Sequence, residues 1–116
     1  MPIPFRLTEW ELIPPTITMG ASGVAQTRTE LFDGLRVRLV EYSENYLADH
    51  WCALGHFVLV LEGELIIALK DGGERSMKKD CSFIVSDDLS EHRLRTIGGA
   101  RVLVIDGAFL AQAQGT

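Results

Sequence analysis

Asp49-His50-Trp51-Cys52-Ala53-Leu54-Gly55-His56, leading directly into Phe57-Val58-Leu59-Val60-Leu61-Glu62-Gly63-Glu64, is the stretch on which the reading of this chain turns. It gathers three nitrogen or sulfur donors, His50, Cys52 and His56, just before an apolar run with no polar face. Imidazole and thiolate are the side chains that bind zinc and related transition metals most readily. The remaining histidine, His92, lies far downstream.

Simple dimensions restrict how these donors can meet. A helix over 47–56 would put Cys52 and His56 on one face, four positions apart, and turn His50 well around the cylinder. One straight strand would align all three but spread His50 and His56 over about 20 Å, at ~3.3 Å per residue. The arrangement that works is a strand carrying His50 and Cys52, a reversal at Ala53-Leu54-Gly55, and a new strand starting at His56. Glycine suits such a turn.

Alternation continues in both directions from this stretch. Leu35, Val37 and Leu39 alternate with Arg36 and Arg38, which predicts a half-buried strand. Residues 57–61 predict a strand covered on both sides, Glu62-Gly63 a turn, and 64–69 a return strand closed by Asp71-Gly72-Gly73, together an antiparallel hairpin pair. Further strands are predicted over 81–85, over 92–96 with His92 on the face opposite Arg93 and Arg95, and over 101–106. The first thirty residues are less legible, with a short extended piece at 16–18 and a loop at 20–23; residues 111–116 read as a frayed tail. Many short strands, regular turns and no internal repeat predict an all-β sandwich or barrel.

Length allows one domain over 1–116, with a core barrel at about 35–106 and the N-terminal segment packed on it. The net charge is −5, and its eleven basic side chains form no run, so neither nucleic acid nor an anionic membrane is an expected partner. Two prolines and a charge interrupt the start of the chain, and no apolar run reaches spanning length. The expected setting is the reducing cytoplasm, where Cys52 and Cys81 are thiols or ligands rather than a disulfide.

The pattern His50-x-Cys52-x3-His56, followed by Val60-Leu61-Glu62-Gly63-Glu64-Leu65, resembles the first cupin motif, in which His-x-His, a short spacer and Glu precede a strand ending in Glu-Gly-Glu-Leu. In that register Cys52 replaces the second histidine and His56 the glutamate. The second cupin motif is echoed by Lys79-Asp80, Phe83-Ile84-Val85 and His92, without its Pro and Gly. The nearest likeness is to small single-domain cupins described by an Asp-His-Cys-Trp motif, here in the order Asp49-His50-Trp51-Cys52, and it extends over about 35–106. The resemblance implies a cupin-type double-stranded β-helix, or jelly roll, with a metal near its mouth.

The expected ligands are therefore His50, Cys52, His56 and His92. Thiolate and imidazole make this set softer than the usual cupin site, which favours Zn(II) and also admits Fe, Ni or Cu. The expected role is to hold a small-molecule ligand near the metal in the barrel mouth. The alternative is a metal-dependent enzyme, an oxygenase or isomerase; an open coordination position would distinguish the two. Asp49 and the carboxylates at Glu62, Glu64, Asp87, Asp88 and Glu91 read as surface groups, Trp51 as packing, and Cys81 as core. Val58 and Val60 should face inward with His56, leaving Phe57, Leu59 and Leu61 to be covered by the N-terminal segment or by a second copy in a homodimer.

Overall fold

Inward valines alternating with outward leucines build the barrel. A computed structural model describes residues 2–111. Among these, eight strands run in order: β1 Thr16–Met19, β2 Val24–Phe32, β3 Leu35–Tyr42, β4 His56–Leu69, β5 Glu74–Lys78, β6 Ser82–Val85, β7 His92–Arg95 and β8 Ala100–Gly107. All pairings are antiparallel, with the path β1-β2-β3-β8-β4-β5 and with β6 and β7 also on β4.

Strand β4 holds the two layers together. Its first half lies between β8 and β6, and its second half between β5 and β7. The expected hairpin at Glu62-Gly63 does not form. The register with β8 slips between Val60 and Glu62, and Gly63 takes φ 78°, so one strand of 14 residues bends from one layer into the other instead of reversing. A bulge and a left-handed glycine produce such a bend without ending the strand.

The core lies between the layers. Val58, Val60, Leu65 and Val102 are the largest fully buried side chains, and Val40, Ile67, Met77 and Val104 pack with them. Each such side chain contributes roughly 1.5–3 kcal/mol on burial. His56 shares the inward face with Val58 and Val60, while Phe57, Leu59 and Leu61 are only partly covered.

Three other expectations are corrected. On β3 the arginine face turns inward: Arg36 and Arg38 share it with buried Val40, while Leu35, Val37 and Leu39 lie on the outer, partly covered face. The reason is cross-strand, since Arg36 stands directly opposite the buried Asp106 of β8. Cys81 is exposed rather than in the core. Strands β2 and β5 were not foreseen, because β5 buries only Met77 and β2 mixes polar and apolar residues on both faces. The expected tail falls, from residue 112 on, outside the described residues. The N-terminal segment contacts β2 through Arg6 and Thr8 to Glu30 and through Arg28 to the Ile13 carbonyl. Among the described residues no helix is long and apolar enough to cross a membrane.

Candidate metal centre

Backbone pairing brings distant donors together. Cys52 and His92 form an isolated antiparallel bridge, with Cys52 N–H donating to His92 O at 2.8 Å and His92 N–H to Cys52 O at 3.0 Å. Residues 53–55 then turn the chain so that β4 opens on His56, opposite Val85 of β6. Gly55 makes that turn possible: a Cβ there would sit 2.5 Å from the Val85 carbonyl oxygen and 2.7 Å from Asp87 N. Gly55→Ala is expected to cost about 1–3 kcal/mol through overpacking against backbone. Denaturant unfolding checks this, and an unchanged midpoint would contradict the close approach.

The result is a compact set. One ligand atom each from Cys52, His56 and His92 lie within 4.8 Å of one another, and Cys52 Sγ is 3.4 Å from His56 Nε2. His56 and His92 are 9% and 2% exposed, with ring centroids 5.5 Å apart in a T-shaped arrangement. Phe83 closes the other side of His92, at 5.6 Å between centroids.

His50 is not in this group. Its side chain is 73% exposed and its Nδ1 is 2.6 Å from Asp49 Oδ1. The expected strand through His50 and Cys52 is absent: residues 49–50 form a bend, and only Cys52 enters a ladder, so strand alternation does not carry His50 to the side of Cys52.

Both buried imidazoles are held by Nδ1. His92 Nδ1 lies 3.0 Å from the Ser90 carbonyl oxygen, which can only accept, so Nδ1 carries the proton and Nε2 offers its lone pair. That Nε2 is buried and makes no hydrogen bond. His56 Nδ1 lies 3.1 Å from Asp106 Oδ2, which fixes the same tautomer and leaves Nε2 facing Cys52. Asp106 also accepts from Arg36 at 2.8 and 3.0 Å and from Arg38 at 2.8 Å. Burial alone would raise the Asp106 pKa, but the Arg36 hydrogen bonds, the charge of Arg38 and the His56 contact bring it below the usual carboxylate value.

Sequence reasoning missed Asp106, Arg36 and Arg38. Two signals for them existed. Asp106 continues the inward alternation Ala100, Val102, Val104, and two arginines are spaced by two on a neighbouring apolar strand. An acid in register with buried valines needs a cation beside it.

The donor set fits a zinc-class ion. Two Nε2 lone pairs and one sulfur are the ligand types zinc prefers, and bond lengths of about 2.0–2.3 Å need only a small contraction of the present spacing. The lone, unbonded Nε2 of His92 is the group that such an ion would satisfy. Cys52 suits the role as well. Contact with the His56 imidazole, then with that of His92, outweighs burial and brings its thiol pKa from 9.0 to about 5. Burial works against the charged His92 ring, yet the Cys52 and Ser90 contacts raise its pKa overall.

The metal-free protein is therefore expected to keep a Cys52 thiolate down to about pH 5. Because the folded value is depressed, the stabilisation from this ionisation is present above the ordinary thiol pKa of 9.0 and is lost as pH falls through about 5. Thiolate ultraviolet absorbance of wild type against Cys52→Ser checks it; a midpoint near the ordinary value would refute the contact with the two imidazoles.

A cavity of about 310 Å³ opens beside the cluster, lined in part by His92, Phe83 and Val85. Of the three donors, His92 alone lines it.

No family model and no curated protein matches the chain. Solved structures do match. The polyketide cyclase RemF from Streptomyces resistomycificus superposes with a TM-score of 0.75 at 17% identity, covering 89% of this chain and 79% of that one. An RmlC-like cupin from Shewanella frigidimarina gives 0.71 at 15%, covering 90% and 91%. A sugar phosphate isomerase from a cupin superfamily of Silicibacter pomeroyi gives 0.67 at 16%, covering 88% and 75%. The fold is the cupin-type jelly-roll barrel.

Proposed function

We propose that Cys52, His56 and His92 hold a divalent transition metal at the barrel mouth, and that the adjoining lumen binds a small-molecule ligand beside it. The observation that carries this reading is the convergence of the three donor atoms within 4.8 Å, with the His92 Nε2 buried and unbonded. Zn(II) is the first choice for two imidazoles and a thiolate, and Fe, Ni or Cu are the other ions such donors accept. The test is elemental analysis of untagged protein: one equivalent of metal per chain supports the reading, and metal-free protein that also takes up none on titration overturns it.

A metal-dependent enzyme, an oxygenase or isomerase, is the second reading, and the absence of His50 from the cluster favours it. Structural zinc sites close with four protein ligands, whereas three leave a position for water or substrate. A bound ion would supply Lewis-acid polarisation of a ligand oxygen there. Asp106 holds the proton on His56 Nδ1, the Ser90 carbonyl holds it on His92 Nδ1, and Phe83 shields the His92 ring from water. The polyketide cyclase and sugar phosphate isomerase differ in chemistry, so the shared barrel selects no reaction. Cobalt-substituted protein whose visible spectrum changes on adding azide would support an open position; an unresponsive spectrum supports a closed one.

The partly covered outer face carrying Phe57, Leu59, Leu103 and Ile105 supports a homodimer. Light scattering at tens of micromolar, a practical range for interfaces of ordinary affinity, should give twice the chain mass, and a monomer would remove the proposal. The unpaired thiols of Cys52 and Cys81 fit a reducing, cytoplasmic setting.

A further inference from the structure

The lumen is apolar along most of its wall and carries one arginine. Inward-facing Ile67 and Leu69 of β4, Met77 of β5, and Phe83 and Val85 of β6 line the cavity of about 310 Å³, and His92 lies at its metal-side end. Arg75 of β5 stands directly opposite Ile67, as Met77 stands opposite Leu65, so it shares the face that points into the barrel. Its side chain is exposed, so it stands at the solvent side of that wall.

Arg75 lacks a carboxylate partner, as do Arg28 and Arg93, which donate instead to the Ile13 and Ala48 carbonyl oxygens. Arg36 and Arg38 pair with Asp106, Arg95 with Glu74, Arg6 with Glu30 and Arg101 with Glu41. Among the described residues no carboxylate lies within ion-pair distance of Arg75, whose one hydrogen bond is a 3.4 Å contact to the Glu74 carbonyl oxygen. Glu74, its neighbour, is held on the other face of β5 by both arms of Arg95.

We infer that the lumen ligand is a small monocarboxylic acid, its apolar body on Ile67, Met77 and Phe83 and its carboxylate on the Arg75 guanidinium. This rests on the reading of the lumen as a ligand site. A guanidinium presents two parallel N–H donors that match a carboxylate. A phosphate dianion fits less well, because Arg75 is the one cationic side chain on the wall and the remaining polar groups are His92, Ser82 and Ser90. The cavity sits at the lower end of the roughly 300–1,000 Å³ of small-molecule sites, which limits the ligand to a short chain or a single ring.

The test uses metal-loaded, full-length protein and ligand-observed NMR with straight-chain and aromatic monocarboxylates from butyrate to phenylbutyrate, each paired with its primary alcohol. Carboxylates should bind wild type, with their alcohols at least about tenfold weaker, the range expected for a charge-assisted pair. Arg75→Met should weaken the acids about tenfold and leave the alcohols unchanged, Arg75→Lys should recover part of the loss, and metal content should stay constant in both. Acids binding Arg75→Met as tightly as wild type would overturn the role of Arg75. Alcohols binding as well as acids would overturn the acid class while sparing the lumen as a ligand site. No binding by either series, with full metal content, would remove both the acid and the lumen reading but leave the metal centre standing.

Discussion

Replacing any one of Cys52, His56 and His92 with alanine is expected to strip the protein of metal, while His50→Ala leaves its content unchanged. Zinc binding free energies of roughly 10–16 kcal/mol for four-donor sites share out at roughly 2.5–4 kcal/mol per donor, so each loss should weaken affinity by about 60-fold or more. Competition with a chromophoric chelator reads this directly. The contrast with His50 gives the experiment its force, because His50 lies two residues from Cys52 yet points to Asp49 and solvent. A His50→Ala variant that loses metal along with the others would restore the four-donor set expected from spacing and would discard the three-donor geometry.

Asp106→Ala should produce the second large effect, and it should appear in two measurements. Asp106 neutralises Arg36 and Arg38, whose side chains are 38% and 22% exposed, and it fixes the His56 ring. Removing one partner from a partly buried ion cluster leaves the others uncompensated, at a cost of about 3 kcal/mol after allowing for that exposure. A chain of this size should then melt roughly 10 °C lower. Loss of a carboxylate that orients a ligating histidine should also weaken metal binding by about 10- to 100-fold. The combined variant Arg36→Met, Arg38→Met, Asp106→Leu separates the two effects: it should regain much of the stability and none of the metal affinity. Full metal affinity in that variant would show that Asp106 serves the fold alone.

Much of this was legible in the sequence, for identifiable reasons. Short apolar runs bounded by turn residues, such as Val102 to Ile105 of β8 after Gly98-Gly99, need only local pattern to be seen as strands. The convergence of Cys52, His56 and His92 was legible because these residues stand in the register of the two cupin motifs, with a reversal at 53–55 between the near donors. His50 was misplaced because alternation was assumed where the chain bends. The inward turn of Arg36 and Arg38 was hidden for a different reason: two positive charges look like a solvent face until the acid opposite them, 70 positions away, is known. Glu62-Gly63 read as a turn because the pair is a common turn former, and only the pairing of β4 with both β8 and β5 reveals a bend. Cross-strand partners decide the last two cases, and one strand does not contain that information.

The most direct test of the metal centre is anomalous diffraction from crystals of the metal-loaded protein, collected on either side of the absorption edge of the bound metal. A single peak at roughly 2.0–2.3 Å from Cys52 Sγ, His56 Nε2 and His92 Nε2 is the predicted result. A peak on His50 and Asp49, or none within bonding distance of Cys52, would contradict it.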